Sequence, residues 1–322
     1  MKVKILFPRL DCSFKPGPVP AVPGPPNHPV RRHYMEFLNS LHLATNKCGH
    51  KLEVVHLPLW QFTEEHTKDC DLVLIPHRQR YEFDVPHAMY YMQMGLPDLF
   101  SIDKDGWCAD ASMYPIKTEI GIDTPSMYWT SYVSAASRNE SKFEQPDVQF
   151  GRENLPEKYI LFPCQLPHDT VITNHSGVTA AQGLAKTMEF AREYNIPVVV
   201  KPHPINMASM APLKAVFIRE RKAGDMWVDY ISIHEALKHC EAVFTVNSGG
   251  AGLEAVLHKK PIFRYGRADY DAVSWDANNI DYEMWSQRGR YTYEYEQWLN
   301  TYISKHYISH KPDDFHKLFR SF

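Results

Sequence analysis

Short apolar runs alternating with amphipathic stretches set the rhythm of the first part of the chain. Val3–Phe7 is a compact apolar run behind a charged start. From Arg31 the spacing becomes helical, with Tyr34, Phe37, Leu38 and Leu41 on one face and a stop near Gly49. Leu52–Leu57 and Leu72–Ile75 then read as buried strands. Between the first strand and the helix, Lys15 to His28 is so dense in Pro and Gly that it predicts a long loop, neither helix nor central strand. Strand, helix, strand alternation argues for a parallel sheet with helices on its faces, and for binding where the loops gather at the carboxyl ends of the strands.

The rhythm lapses over 104–157, which is irregular and ends in a polar stretch from Ser137 to Glu157, so a domain boundary is expected near residue 150. A cleaner series follows. Strands are predicted at Tyr159–Pro163, Pro197–Lys201, Ala242–Val246 and Pro261–Phe263, with helices from about Ala180 to Tyr194, Ile233 to His239 and Ala251 to His258. Thr179 with Gln182, and Ser232 with Glu235, have capping-box spacing, and Asn195-Ile-Pro197 is a stop signal. Ala181, Leu184, Ala185 and Met188 make the stripe that packs the first of these helices on its sheet. The tail, 281–322, is helical in pattern and aromatic. The expected fold class is therefore α/β, with two doubly wound, Rossmann-like domains (1–150 and 151–280) facing a cleft and C-terminal helices (281–322) packing across both.

Composition narrows the function only slightly. The 322 residues are 44% hydrophobic and 23% charged, which excludes wholesale disorder, and no apolar run approaches the roughly 18 residues of a membrane span. The net charge of −3 averages unlike regions: residues 1–50 hold 7 Lys/Arg against 2 Asp/Glu, 51–150 hold 8 against 16, and 151–322 are balanced at 20 each. The basic excess is thus confined to the proline-rich N-terminal stretch. Six cysteines without paired spacing, and an opening run interrupted by Pro8, predict a reducing, cytoplasmic setting and no signal peptide.

Four places could carry chemistry. In Thr245-Val-Asn-Ser248-Gly249-Gly250-Ala-Gly252-Leu-Glu254-Ala255 a strand ends in a small-residue turn and opens a helix, so its backbone N–H groups suit a phosphate. Glu254, one to two turns in, is placed to accept hydrogen bonds from ribose hydroxyls. In Val198-Val-Val-Lys201-Pro-His203-Pro204, prolines stiffen a strand exit and hold Lys201 and His203 where a cation or imidazole can meet phosphate. In Phe162-Pro-Cys-Gln165-Leu-Pro-His168-Asp169, the aspartate at a strand exit can act as base or as nucleophile. Arg264 and Arg267 follow the next strand and could neutralise a diphosphate. Asp103, Asp105 and Gly106 have the opening spacing of a calcium loop without its later ligands, and no Walker loop, zinc motif or GxSxG elbow occurs.

The order Gln165-xxx-Asp169, Lys201-Pro-His203-Pro, His234-Glu-Ala-Leu, Thr245-Val-Asn-Ser248 through Gly252-x-Glu254-Ala, then Gly266 before Tyr270 and Ser274-Trp275, resembles the capsule-polysaccharide-biosynthesis glycosyltransferases, a Kdo-transferase-like group with a GT-B fold. The likeness covers about 160–276. The N-terminal half matches mainly in Leu99-Phe-Ser-Ile-Asp103 with Gly106. The resemblance implies that 1–150 binds the acceptor and 151–280 the donor, that Asp169 sits at the reaction centre, and that His203 contacts the donor phosphate or leaving group. It also implies that Ser248 and the following amides of Gly249 and Gly250 hold the nucleotide, with Glu254 on its ribose. Gly249-Gly250-Ala251 replaces the bulkier stretch usual in that family.

A nucleotide sugar is therefore expected as co-substrate, with no further cofactor and no metal, because fixed donors can stabilise the departing phosphate. The motif order is also similar to that of phage-borne enzymes that glycosylate hydroxymethylated cytosine in DNA. Lys15, Arg31 and Arg32, with Asp103, are the expected acceptor-binding residues, and the basic ones suit a DNA acceptor. A capsule or other glycan is the alternative acceptor. The Ser-Gly-Gly-xxx-Glu-Ala run is similar as well to the UDP-N-acetylglucosamine 2-epimerases, which supplies an isomerase as rival, and a silent sugar-nucleotide-binding module is a third class. The oligomeric state stays open.

Overall fold

A computed structural model describes residues 1–8, 29–58, 61–76, 85–118, 127–146, 152–204, 207–306, 308–309 and 312–319. The chain runs through β1 (Lys2–Pro8), α1 (Pro29–Lys47), β2 (Lys51–Leu57), β3 (Leu72–Pro76), β4 (Ala88–Gln93), β5 (Leu99–Asp103) and α2 (Met127–Ser137). It continues through β6 (Ile160–Pro163), α3 (Thr170–His175), α4 (Ala180–Glu193), β7 (Val198–Lys201), α5 (Ala211–Glu220), β8 (Met226–Trp227), α6 (Ile233–His239), β9 (Ala242–Thr245) and α7 (Gly249–Leu257). The last elements are β10 (Ile262–Arg264), β11 (Trp275–Asp276), α8 (Tyr282–Ser286), α9 (Tyr295–His306), β12 (Ile308–Ser309) and α10 (Pro312–Phe319). Among the described residues no helix is long and apolar enough to cross a membrane.

Two compact units result: Met1–Tyr114 with His306–Phe322, and Pro115–Lys305. In the first, the sheet order is β12-β5-β4-β3-β1-β2. Strands β2, β1, β3 and β4 are parallel, as the alternation predicts, but β5 and β12 each run antiparallel to their neighbour. The reason is length: the five residues between β4 and β5 cannot hold a crossover helix, so the chain folds back as a hairpin with Asp98 in the left-handed region at φ +59°. Apolar side chains leave both faces of β1. Val3, Ile5 and Phe7 pack with Phe37, Leu41, Tyr91, Phe100 and Phe315, while Leu6 packs with Phe62, Val73 and Ile75. A sheet covered on both faces needs the continuous apolar run seen at Val3–Phe7. Phe37 stacks on Phe100 at 4.3 Å and meets Phe315 of the C-terminal helix edge-on at 5.3 Å.

The second unit has one wholly parallel sheet, β11-β10-β9-β6-β7-β8. Counted within this unit its strand order is 3-2-1-4-5-6, the doubly wound arrangement, and the order reverses between β6 and β9. Thr179 and Gln182 form the capping box of α4. Ser232 caps α6 by accepting from the His234 N–H, but Glu235 pairs instead with Lys238 and His239.

Two expected boundaries move. The division falls between Tyr114 and Pro115, not near 150, because α2 packs on α7 and the polar stretch after it is bonded into the second unit. The tail is not one module. Trp285 of α8 enters the second unit's core, Tyr295 of α9 donates to the Lys260 carbonyl at 2.9 Å, and Trp298 donates to the Ile116 carbonyl at 3.0 Å. By contrast, β12 pairs with β5 and α10 packs on α1 in the first unit.

Asp103 is also reassigned. It is 4% exposed, its Oδ1 accepts from the N–H groups of Asp105, Gly106 and Ser112 at 2.8–3.2 Å, and its Oδ2 accepts from the Ser112 hydroxyl at 2.7 Å. The carboxylate organises its own loop and offers nothing to an acceptor. Asp103→Ala should therefore lower unfolding stability by about 2 kcal/mol, the scale of losing hydrogen bonds to a charged group. A urea midpoint unchanged from wild type would refute this structural role.

Candidate functional site

The loops leaving β6, β7 and β9 gather at the carboxyl ends of the second sheet, around the reversal of strand order. Two amides tie the first and third loops together. Gln165 donates from Nε2 to Asn247 Oδ1 at 3.1 Å, the Asn247 N–H donates to Gln165 Oε1 at 2.9 Å, and Asn247 Nδ2 donates to the Val171 carbonyl at 2.8 Å. Asn247 is fully buried, so all three bonds replace lost water. Val171 in turn donates its N–H to Asp169 Oδ1 at 3.2 Å, which makes Asp169 the N-cap of α3.

The glycine turn opens α7 as the spacing predicts. Ser248 is the N-cap, its hydroxyl accepting from the Ala251 N–H at 3.3 Å, and a Cβ at Gly249 would meet open space. Gly252 is fixed by packing. A Cβ there would lie 2.1 Å from the Tyr270 ring, whose hydroxyl donates to the Ser248 carbonyl at 2.9 Å. The turn is thus held from below while Gly249 and Gly250 remain partly exposed.

Behind this turn lies a set of coupled charges. Glu254 is 4% exposed, and burial pushes its carboxyl up to about 7 against the pull of Ser141, Lys201 and Lys142. Lys201, 6% exposed at the end of β7, is pushed down by burial and held up by Glu254. His203 is pushed down to about 4, first by burial and then by Lys201 and Lys142, so at neutral pH it is a neutral hydrogen-bonding group. Burial raises the Cys164 thiol above its ordinary range, which leaves it an unreactive core residue.

The expected site residues divide accordingly. Asp169, Lys201, His203, Ser248, Gly249, Gly250 and Glu254 lie on these loops and on α7. Glu254 is not open to a ribose: the Ser141 hydroxyl already donates to its Oε1. Arg264 is committed to Asp271 as an ion pair, to Ser274 Oγ at 3.1 Å and to the Gly266 carbonyl at 3.3 Å, so it braces the loop after β10 and is not free for a diphosphate. Arg267 is exposed and donates to His175 Nδ1 at 3.0 Å. Lys15 lies outside the described residues, and Arg31 and Arg32 fall in α1 with side chains outside them. Elsewhere, His33, Glu36 and Asp98 of the first unit bring three potential metal-ligand atoms within 4.8 Å of one another, with His33 Nδ1 facing Asp98 Oδ1.

Sequence reasoning missed the residues that the polar stretch contributes. Ser141 reaches Glu254, Phe143 meets His203 edge-on at 5.4 Å, and Lys142 acts on Asp169, Glu254 and His203. No local pattern marks them, since a polar, irregular run reads as a linker. Two histidines anchor this stretch. His234 Nε2 lies 2.8 Å from the Glu140 carbonyl and must donate, so its Nδ1 accepts, at 3.0 Å, from His258 Nε2.

Comparison with known proteins gives a consistent answer. The profile of a family described as "Capsule polysaccharide biosynthesis protein" matches residues 121–311. The capsule polysaccharide export protein KpsS of Escherichia coli is 30% identical over 139 residues, 41% of this chain and 36% of that protein, so the match spans about a third of the relative's length. Two solved structures from Thermosulfurimonas dismutans KpsC are similar in fold. The beta Kdo 2,7 transferase is 13% identical with a TM-score of 0.51, covering 100% of this chain and 99% of that one. The beta Kdo 2,4 transferase is 14% identical with a TM-score of 0.54, covering 89% and 93%. The fold class is α/β and GT-B-like, with one sheet in each of two Rossmann-like units.

The histidine anchor is pH-sensitive. Burial lowers His234, and burial with the neighbouring His234 lowers His258 to about 4. The unfolded chain therefore takes up protons first, near pH 6.5, and the pair's contribution to stability is present above that pH and is lost as pH falls toward 4. His203 acts in the same sense and Glu254 in the opposite one, so the pair is isolated by difference. His258→Gln should lose less thermal stability than wild type between pH 7 and pH 4.5. Equal losses in parallel melts would show that the pair is not held neutral.

Proposed function

The chain belongs to the capsule polysaccharide biosynthesis protein family, and from that premise we propose that it is a glycosyltransferase moving a sugar from a nucleotide donor to a hydroxyl of a glycan acceptor. The observation that carries this reading is the convergence of Asp169, His203 and the Ser248 turn on one end of the second sheet, around its reversal of strand order. A donor needs two things there: a place for phosphate and a carboxylate beside the reacting carbon. The N–H groups at the start of α7 supply a dipole and donors for the phosphate. Asp169 is partly exposed, unlike Glu254.

In transfer, the bond between the anomeric carbon and the phosphate oxygen breaks, and its electron pair leaves with the nucleotide. The acceptor oxygen forms the new bond and gives up its proton. An ionised Asp169 takes that proton directly, or first attacks the anomeric carbon and is later displaced by the acceptor, the electron pair of the broken bond returning to the carboxylate, which then takes the acceptor's proton. The anomeric configuration of the product separates these routes. Neutral His203 can donate a hydrogen bond to the departing oxygen without needing to be charged.

The acceptor class rests on family membership. DNA carrying hydroxymethylated cytosine, suggested by the basic stretch with Lys15, Arg31 and Arg32, is the competing arm of the test. Mass spectrometry of glycan acceptors and of hydroxymethylcytosine DNA, each incubated with a panel of nucleotide sugars, should show a sugar added to a glycan and none to DNA. Asp169→Ala should cut that transfer by at least about 10³-fold while leaving donor binding within a few-fold. Sugar interconversion without acceptor, or near-normal transfer by the variant, would overturn the assignment in favour of an isomerase or of a different catalytic group.

A further inference from the structure

The first unit holds a side-chain cluster that the transferase reading leaves unused. His33 and Glu36 lie one turn apart on α1, and Asp98 lies in the hairpin between β4 and β5. Helix α1 follows β1 and the hairpin follows β4, so the cluster stands at the carboxyl ends of parallel strands, where sheets of this kind take ligands. Packing fixes both elements beforehand. The Tyr34 ring, next to His33, meets the Phe100 ring, two residues after Asp98, edge-on at 5.1 Å. The Met94 N–H donates to the Leu99 carbonyl at 2.8 Å and closes the hairpin.

Three ligand atoms converge there. One atom each from His33, Glu36 and Asp98 lie within 4.8 Å of one another, with His33 Nδ1 facing Asp98 Oδ1 and 4.0 Å from Glu36 Oε2. His33 is 2% exposed, and its Nδ1 has no hydrogen-bond partner among the described residues, although Asp98 Oδ1 is its neighbour. A ring nitrogen this close to a carboxylate oxygen, yet without hydrogen-bond geometry, aims its lone pair past that oxygen. Ligands of one ion do the same, since each points at the ion and not at the other. A proton can join only two of the three atoms, whereas a cation can join all of them, and a neutral imidazole with two carboxylates balances a dication. The Glu36 and Asp98 side chains are 41% and 46% exposed, which gives an ion a way in. A carboxylate has about four lone-pair sites, so its other bonds do not exclude ligation.

We propose that His33, Glu36 and Asp98 form a binding site for one divalent transition-metal cation of the zinc type. The imidazole selects against magnesium and calcium, which take oxygen ligands, and three protein ligands leave a position open for water or a substrate oxygen. The ion ties the start of α1 to the β4–β5 hairpin. This inference does not rest on the transferase reading: the cluster belongs to the first unit, while Asp169, His203 and the Ser248 turn belong to the second.

Calorimetric titration of the chelator-treated full chain with Zn²⁺ tests this, using wild type, Glu36→Gln and Asp98→Asn. Both variants keep the size and shape of the side chain, and asparagine tolerates the left-handed backbone at 98, where φ is +59°. Wild type should take up one Zn²⁺ per chain that a roughly 100-fold excess of Mg²⁺ does not displace. Loss of an outer-shell partner already costs metal sites about 10- to 100-fold, so each variant should bind at least about 10-fold more weakly. Zn²⁺ should also raise the melting temperature of wild type, and by less in both variants. X-ray absorption of the zinc-loaded wild type should show one imidazole nitrogen among oxygen ligands. No zinc uptake by wild type, either variant binding within twofold of wild type, or a zinc shell that lacks imidazole or contains a thiolate overturns the proposal. None of these outcomes bears on sugar transfer, whose test is the Asp169 variant.

Discussion

The amide pair formed by Gln165 and Asn247 is the constraint on which the site depends. A doubly wound sheet necessarily parts its loops where the strand order reverses, and here the two parted loops are rejoined by two hydrogen bonds between fully or almost fully buried amides. Loss of either partner would strand the other, at about 1–3 kcal/mol for an unsatisfied buried group. The consequence reaches the carboxylate proposed to react, because Asn247 also holds the Val171 carbonyl and the Val171 N–H holds Asp169. From Gln165 to Asp169 the line is continuous, and each link uses a group that has no water to fall back on.

Charge at the site follows a second rule, that a buried ion must be matched. Lys201 and Glu254 are each too buried to be stable as lone ions, and each moderates the other. His203 meets the same demand by giving up its charge. In the proposed transfer, such a set would stabilise negative charge developing on a leaving phosphate with little reorganisation, since its dipoles and ions are fixed beforehand. The tight placement of Gly252 under Tyr270 serves the same end: the ring and its bond to the Ser248 carbonyl fix the turn from which the α7 amides point.

Much of the fold was legible where signals are contiguous. Buried parallel strands require unbroken apolar runs, so Val3–Phe7, Ile160–Phe162, Val198–Val200 and Ala242–Phe244 announced themselves, and Thr179 with Gln182 marked α4. The β4–β5 hairpin was not anticipated, since two adjacent buried tyrosines, Tyr90 and Tyr91, between half-buried methionines break the alternation. Helix α2 was read as irregular, and α5, with Ile218 exposed and a methionine-rich approach, escaped notice. The boundary was misplaced for a related reason: a polar run that reads as a linker is, in the folded chain, satisfied by bonds to Ser232, Ile233, His234 and Glu254.

Sequence by itself determined the alternation of strands and helices, the glycine turn opening α7, and the order of motifs that identifies the family, because each is local or strictly ordered along the chain. Tertiary structure alone decided which charges are available. Arginines that look free beside a strand are consumed by Asp271 and His175, Asp103 is consumed by its own loop, and Glu254 is capped by a serine 113 residues away. Hydrogen bonding and burial act through space, so a side chain's freedom to meet a ligand depends on neighbours that the linear order does not reveal. Ser141 makes the same point in reverse: nothing around it in the chain marks it, and only the bonds of its neighbours Glu140 to His234 and Gln145 to Ile233 bring it to Glu254.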